Sequence, residues 1–301
     1  MLHGIFPAIF TPFDDDLNVD FEALSLLVDF QLDAGVNGFF VTGSTGEGLL
    51  LSLDERLAVI KHVIAHTAGR GKVIAHVGHP STEAASSLAR RSAAAGADWI
   101  ASVGPIYHGT TFEGMLRHYR QIATASDLPF MCYSLNAEIV PERDVALFDI
   151  PNVSGLKYTG SNFFSVQQLA RRIDRPVQLL NGFDEQLVAA LSFGFQGGIG
   201  STYNFAPEFY VGIYQNYQDN NVAEAARLQA QINQVTYLMA GYENWSYRKA
   251  IMRYVGYDVG PCRPPYAPLT EEEYQEFAER LEKLDVLTRA IEIESEQDAE
   301  E

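Results

Sequence analysis

A (β/α)8 barrel followed by three C-terminal helices is the fold class the sequence predicts, and three observations predict it. Short apolar runs alternate with amphipathic stretches eight times within residues 1–220, the pattern of parallel strands joined by crossover helices. With 301 residues, 47% of them hydrophobic, the chain can bury one large core. Polar residues also gather just past the ends of the apolar runs, where barrels collect their chemistry. An open doubly wound sheet is the alternative reading of the same alternation.

The first apolar run, residues 5–11, precedes a stretch that places Phe21, Leu24, Val28 and Leu32 on one helical face. The second, 38–42, precedes a helix that opens with a capping box, Ser52-Leu53-Asp54-Glu55, and carries Leu53, Leu57, Ile60 and Ile64 at helical spacing. Strands three to five are expected at 73–77, 99–103 and 129–133, followed by helices at 81–95, 111–125 and 141–148. The sixth strand lies within 152–160, opened by Pro151 and ending on Lys157. Strands seven and eight fall at 177–180 and 198–201, with helices at 163–173, 185–193 and 207–217 completing the repeats. Beyond them, 222–240, 245–255 and 270–290 read as three helices, with Gly260-Pro261-Cys262-Arg263-Pro264-Pro265 as the linker before the last. Residues 221–301 therefore form an appendage to the barrel, and the acidic tail 292–301 is expected to fray.

Composition excludes several function classes. A net charge of −18 argues against nucleic acid and anionic membrane surfaces, both of which need clustered Lys and Arg. No apolar run is long enough to span a membrane, and the N-terminus runs straight into a strand pattern with no export signal, so the expected location is cytoplasmic. Cys132 and Cys262 stand far apart, which fits a reducing compartment and two small core residues. His62 and His66 are four apart on a helix without the intervening Glu of a zinc motif, and His76 and His79 have no Asp or Cys beside them. No metal and no cofactor are expected. Gly197-Gly198-Ile199-Gly200 lacks the neighbouring Lys or Arg of a phosphate loop and reads as a close-packing strand; Tyr203, Phe205, Phe209, Tyr210 and Tyr214 read as packing.

The strand ends carry the candidate chemistry. Lys157 closes a buried strand, and an ordinary lysine amine titrates near about 10.4, so holding one neutral at pH 7 takes roughly 4 to 5 kcal/mol of environmental work. A dry pocket can supply it, and a neutral amine there attacks a ketone to give a Schiff base, an electron sink for carbon–carbon cleavage. Past strand two, Gly43-Ser44-Thr45-Gly46-Glu47 is a glycine-rich turn whose N–H groups and two hydroxyls suit a carboxylate. Strand five ends on Tyr133, strand six has Thr159 two residues beyond the lysine, strand seven runs into Asn181-Gly182-Phe183-Asp184-Glu185, and strand eight ends on Ser201.

These residues resemble the pyruvate-dependent class I aldolase family of dihydrodipicolinate synthase and N-acetylneuraminate lyase, along nearly the whole chain. The resemblance rests on Gly43-Ser44-Thr45-Gly46-Glu47, Gly155-Leu156-Lys157-Tyr158-Thr159, Asn181-Gly182-Phe183-Asp184-Glu185 and Gly197-Gly198-Ile199-Gly200-Ser201-Thr202-Tyr203-Asn204, the last two resembling the lyase branch. It implies a Schiff base on Lys157, carboxylate binding by Ser44 and Thr45, and proton transfer by Tyr133. It also implies that Thr159, Gly182, Asp184, Glu185 and Ser201 bind a polyhydroxy 2-keto acid such as N-acetylneuraminate, which is split into pyruvate and N-acetylmannosamine. A homotetramer, a dimer of tight dimers, is implied as well, in which Tyr107 of Gly104-Pro105-Ile106-Tyr107-His108 enters a neighbouring subunit's site. The synthase branch carries an arginine where this chain has Glu138, which sets that activity below a lyase. Other 2-keto-3-deoxy sugar acid aldolases are the nearest alternative, and a ligand-binding barrel without catalysis is the alternative of a different class.

Overall fold

Eight runs of buried residues form the strands β1 (Gly4–Pro7), β2 (Gly38–Val41), β3 (Lys72–His76), β4 (Trp99–Val103), β5 (Phe130–Leu135), β6 (Val153–Thr159), β7 (Gln178–Asn181) and β8 (Gly197–Gly200) in a computed structural model that describes residues 1–107 and 109–288. All pair in parallel in the order β1-β8-β7-β6-β5-β4-β3-β2. A bridge between Ala8 and Phe40, with the Ile9 N–H donating to the Phe40 carbonyl at 3.1 Å, joins the two ends and makes the sheet a barrel. The alternation of side chains along each strand then splits the core in two. Phe6, Phe40, Ile74, Ala101, Met131 and Ile199 fill the barrel, while Ile5, Phe39, Val41, Val73 and Ile100 face the helices outside.

The crossover helices are α1 (Phe21–Asp33), α2 (Leu53–Thr67), α3 (Thr82–Ala94), α4 (Phe112–Ala123), α5 (Pro141–Asp144), α6 (Phe163–Ala170), α7 (Leu187–Ser192) and α8 (Pro207–Gln218). The expected capping box forms at α2: the Glu55 N–H donates to Ser52 Oγ at 3.2 Å and the Ser52 N–H to Glu55 Oε2 at 2.8 Å. Three helices follow, α9 (Val222–Ala240), α10 (Ser246–Tyr254) and α11 (Glu271–Glu282).

Several boundaries differ from the sequence expectation. β1 stops at Pro7 because the chain beyond turns to other partners: the Phe10 N–H donates to Asn204 Oδ1, and Thr11 Oγ1 to the Gly46 carbonyl. β5 and β6 run to Leu135 and Thr159, two residues past Tyr133 and Lys157, because those extra residues also pair. The fifth helix gives way to a 3-10 turn over Val145–Asp149, and Asp184–Gln186 is a 3-10 turn ahead of α7. α11 ends at Glu282, with Asp285 in a left-handed conformation (φ 52°) shortly after. The end of the expected helix at 270–290 and the tail 292–301 lie outside the described residues.

Candidate active site

β5 and β6 pair with Tyr133 opposite Lys157, and the period of two turns both into the barrel mouth. There the Lys157 amine lies 4.2 Å from the centre of the Tyr133 ring and 4.4 Å from that of Phe40. Lys157 is 5% exposed, and no carboxylate or hydrogen-bond acceptor pairs with it among the described residues. Thr159, on the same face of β6, presents a buried hydroxyl without a partner. Gly182 makes room for it: a Cβ at that position would come within 2.1 Å of Thr159 Oγ1.

The turn after β2 is fixed from below and from the side. Thr42 and Glu47 take left-handed conformations (φ 57° and 54°), the Gly48 N–H donates to the Gly43 carbonyl, and Thr45 is buried between them while Ser44 is exposed. Beneath, His76 accepts the Val103 N–H at Nε2 (3.2 Å), which leaves its Nδ1–H to donate to the Thr42 carbonyl at 3.1 Å. Burial, reinforced by the Arg56 charge and then by Lys157, holds the His76 imidazole down at about 3, so it is neutral. Glu47 points away from the mouth into a buried ion pair with Lys249 of α10 at 3.0 Å, and its other oxygen accepts the Arg263 N–H. Lys249 also donates to the carbonyls of Thr11 and Pro261, both at 2.8 Å. The turn is thereby tied to the C-terminal helices.

Asp184 is buried at the ends of β7 and β8, where Oδ2 accepts the Thr202 N–H at 2.8 Å, the Thr202 hydroxyl at 2.7 Å and the Ser201 hydroxyl at 3.4 Å. Burial pushes its carboxyl above the usual range, and those three donors and Lys157 oppose the shift. Gly200 is required here, since a Cβ would lie 2.1 Å from Asp184 Oδ1. Glu185 is half-buried, and its carboxyl is also raised, by burial first and by Asp184 second. α9 holds both backbones: Gln229 donates to the Asp184 carbonyl and Asn233 to that of Glu185.

A cavity of about 470 Å³ gathers Ser44, Thr45, Tyr133, Lys157, Thr159, Gly182, Asp184, Glu185 and Ser201. It does not include Tyr107, which is 82% exposed in the loop after β4. Sequence reasoning missed the wall built by Thr236, Met239 and Ala240 of α9, by Trp245, and by Arg248 of α10. Helical periodicity identifies these helices but not what they cover. Glu138 lines a neighbouring cavity of about 430 Å³ with Ile106, Arg143 and Asp144 and is not among the residues gathered in the main cavity. His62 contacts Ser25 at 2.8 Å and His66 pairs with Asp29 at 2.9 Å, while His79 accepts the Ser81 N–H. Tyr203, Phe205 and Tyr210 are core residues, as their spacing suggests. Among the described residues no three His, Cys, Asp or Glu side chains gather to hold a metal ion, and no helix is long and apolar enough to cross a membrane.

The family model described as the dihydrodipicolinate synthetase family matches residues 1–284. The chain is 34% identical over 284 residues to an N-acetylneuraminate lyase of Rhizobium meliloti, covering 93% of this chain and 94% of that one. Among solved structures it is similar to a prophage protein of the dihydrodipicolinic acid synthase family from E. coli K12 in complex with pyruvate (27% identity, TM-score 0.89, 95% of this chain and 99% of that one). It is likewise similar to an N-acetylneuraminate lyase from Mycoplasma synoviae (30% identity, TM-score 0.85, 92% and 96%).

Proposed function

This chain belongs to the dihydrodipicolinate synthetase family, and we propose that it is a Schiff-base aldolase that cleaves N-acetylneuraminate reversibly to pyruvate and N-acetylmannosamine. The observation that carries the reading is the pairing of Tyr133 with Lys157 across β5 and β6 in a cavity that also holds the Ser44-Thr45 turn, the buried Asp184 and the half-buried Glu185. Carboxylate binding alone needs neither the amine nor the phenol, which is why an enzyme is preferred over a ligand-binding barrel.

In this reading Ser44 and Thr45 hold the substrate carboxylate, which sets the adjacent keto carbon against Lys157. The amine adds to that carbon, and the carbinolamine hydroxyl leaves as water with a proton from Tyr133, giving a protonated Schiff base and a tyrosinate. Tyr133, with its ring against the amine, takes the proton of the C4 hydroxyl as the C3–C4 bond breaks; the bonding electrons flow into the imine, leaving an enamine of pyruvate and releasing the aldehyde. Protonation at C3 and hydrolysis then free pyruvate and the amine. Thr159, Gly182, Asp184, Glu185 and Ser201 form the side of the cavity assigned to the polyhydroxy tail, where Glu185 supplies an acceptor for its hydroxyls.

The assembly assigned is a homotetramer in which Tyr107 completes a neighbouring site, supported by its exposure beside Ile106, itself 52% exposed. A cytoplasmic location is assigned with it, and two free, buried cysteines accord with a reducing compartment. The function is tested by following pyruvate release from N-acetylneuraminate and from a shorter 2-keto-3-deoxy acid. Faster cleavage of the sialic acid is the expected result; cleavage of the shorter acid alone overturns the substrate while keeping the aldolase chemistry.

A further inference from the structure

One guanidinium in the cavity wall has no part in the chemistry above. Arg248 reaches the cavity from α10, with its charged carbon 4.2 Å from the centre of the Trp245 ring. Stacking on the indole covers one face of the planar group and leaves its in-plane N–H donors for a partner. Among the described residues no carboxylate pairs with it, although Glu185 and Asp184 line the same cavity. The Trp245 indole N–H beside it is a buried donor without a partner, and Arg248 itself is half-buried. This wall offers donors and apolar surface, the latter from Trp245, Met239 and Ala240, on the side of the cavity built by the C-terminal helices.

A carboxylate would satisfy the fork of Arg248 best in isolation. The cavity already takes one substrate carboxylate in this reading, and with Asp184 and Glu185 a second would set four anions against the two cations Lys157 and Arg248, so a further anion there is disfavoured. A neutral acceptor avoids that repulsion. A hydroxyl is such an acceptor but leaves the apolar surface unused, whereas an amide carbonyl bearing a methyl group uses both. Resting on the lyase reading, we propose that Arg248 is a specificity-determining residue that donates to the acetamido carbonyl of the substrate while Trp245 and Met239 pack against the acetyl methyl. A buried donor left without its acceptor is costly, so such a site discriminates against a substrate lacking the amide.

The test compares pyruvate release from N-acetylneuraminate with that from its analogue carrying a hydroxyl in place of the acetamido group, in wild type, Arg248→Met and Arg248→Lys. Methionine keeps an apolar stem against Trp245, and lysine keeps the charge without the fork. The expected result is a fall of about ten- to a hundredfold in the kcat/KM ratio of acetamido over hydroxyl substrate for Arg248→Met, and a smaller fall for Arg248→Lys. Trapping of pyruvate on the enzyme by borohydride should be unchanged in both variants. An unchanged ratio in either variant that still traps pyruvate, or equal losses on both substrates, overturns the assignment of Arg248 and leaves the lyase reading standing. Wild type that cleaves neither compound overturns the lyase reading, and the inference falls with it.

Discussion

Lys157, in the barrel mouth, and Lys249, where α10 meets the loops after β1 and β2, are 5% and 4% exposed, yet the two regions hold them in opposite ways. Lys249 is enclosed by acceptors: Glu47 at 3.0 Å, the carbonyls of Thr11 and Pro261 at 2.8 Å, and the ring of Phe13. Burial pulls its amine below the ordinary lysine value, and Glu47 pulls it back. Lys157 has two aromatic faces and a cavity. A lysine held by two carbonyls and a carboxylate is a structural tie, whereas one that faces a partly apolar cavity is available to a carbonyl carbon. Burial alone therefore does not distinguish a nucleophile from a strut; the inventory of acceptors does.

The comparison breaks most severely if Lys157 proves dispensable. Lys157→Met should reduce pyruvate release from N-acetylneuraminate by on the order of 10⁴-fold or more, with little change in thermal stability, since the amine makes no ion pair to lose. Tyr133→Phe comes next: turnover should fall by roughly two to four orders of magnitude while pyruvate still becomes trapped on the enzyme, because the phenol moves a proton and does not bond to carbon. Near-normal turnover would remove Tyr133 from the mechanism.

The opposite pattern is expected of the second lysine. Lys249→Met leaves the Glu47 carboxylate buried without its cation, which should cost about 3–5 kcal/mol in chemical denaturation. Glu185→Ala should lower kcat/KM for N-acetylneuraminate by about ten- to a hundredfold without changing pyruvate trapping, since it removes only acceptors for the tail. The smallest expected effect is a pH slope. His76 is held at about 3 in the fold against an ordinary value near 6.5, so unfolding takes up a proton below the ordinary value. The stability it contributes is present above pH 6.5 and is lost as pH falls from there towards 3, by about 1 kcal/mol over the first pH unit. Denaturant midpoints of wild type and His76→Gln across that window should differ in slope; parallel curves would show that His76 is not held neutral.

The strand-end half of the site was legible because a parallel barrel gathers the ends of its strands into one ring, so a residue's place in a strand also gives its place in the mouth. Lys157, Tyr133, Thr45 and Ser201 follow from that rule even with two strand ends misplaced by two residues. The helical half was not legible. Amphipathic spacing in 222–255 marks the helices, but the same spacing would suit any surface, and nothing in the order of residues says that Trp245 and Arg248 reach the cavity that Lys157 lines. The Glu47–Lys249 pair escaped for the same reason, since about two hundred positions separate its members. Tyr107 belongs to a third category: its implied partner is another copy of the chain, so the fold of one copy leaves it on the surface.

The central claim is that the amine of Lys157 bonds to pyruvate. Incubating the enzyme with pyruvate and borohydride and measuring intact mass tests it directly. The account predicts a gain of one reduced pyruvate per chain in wild type, located to Lys157 by peptide mapping, and no gain in Lys157→Ala. A gain that persists in the alanine variant, or that maps to Lys249, would contradict it.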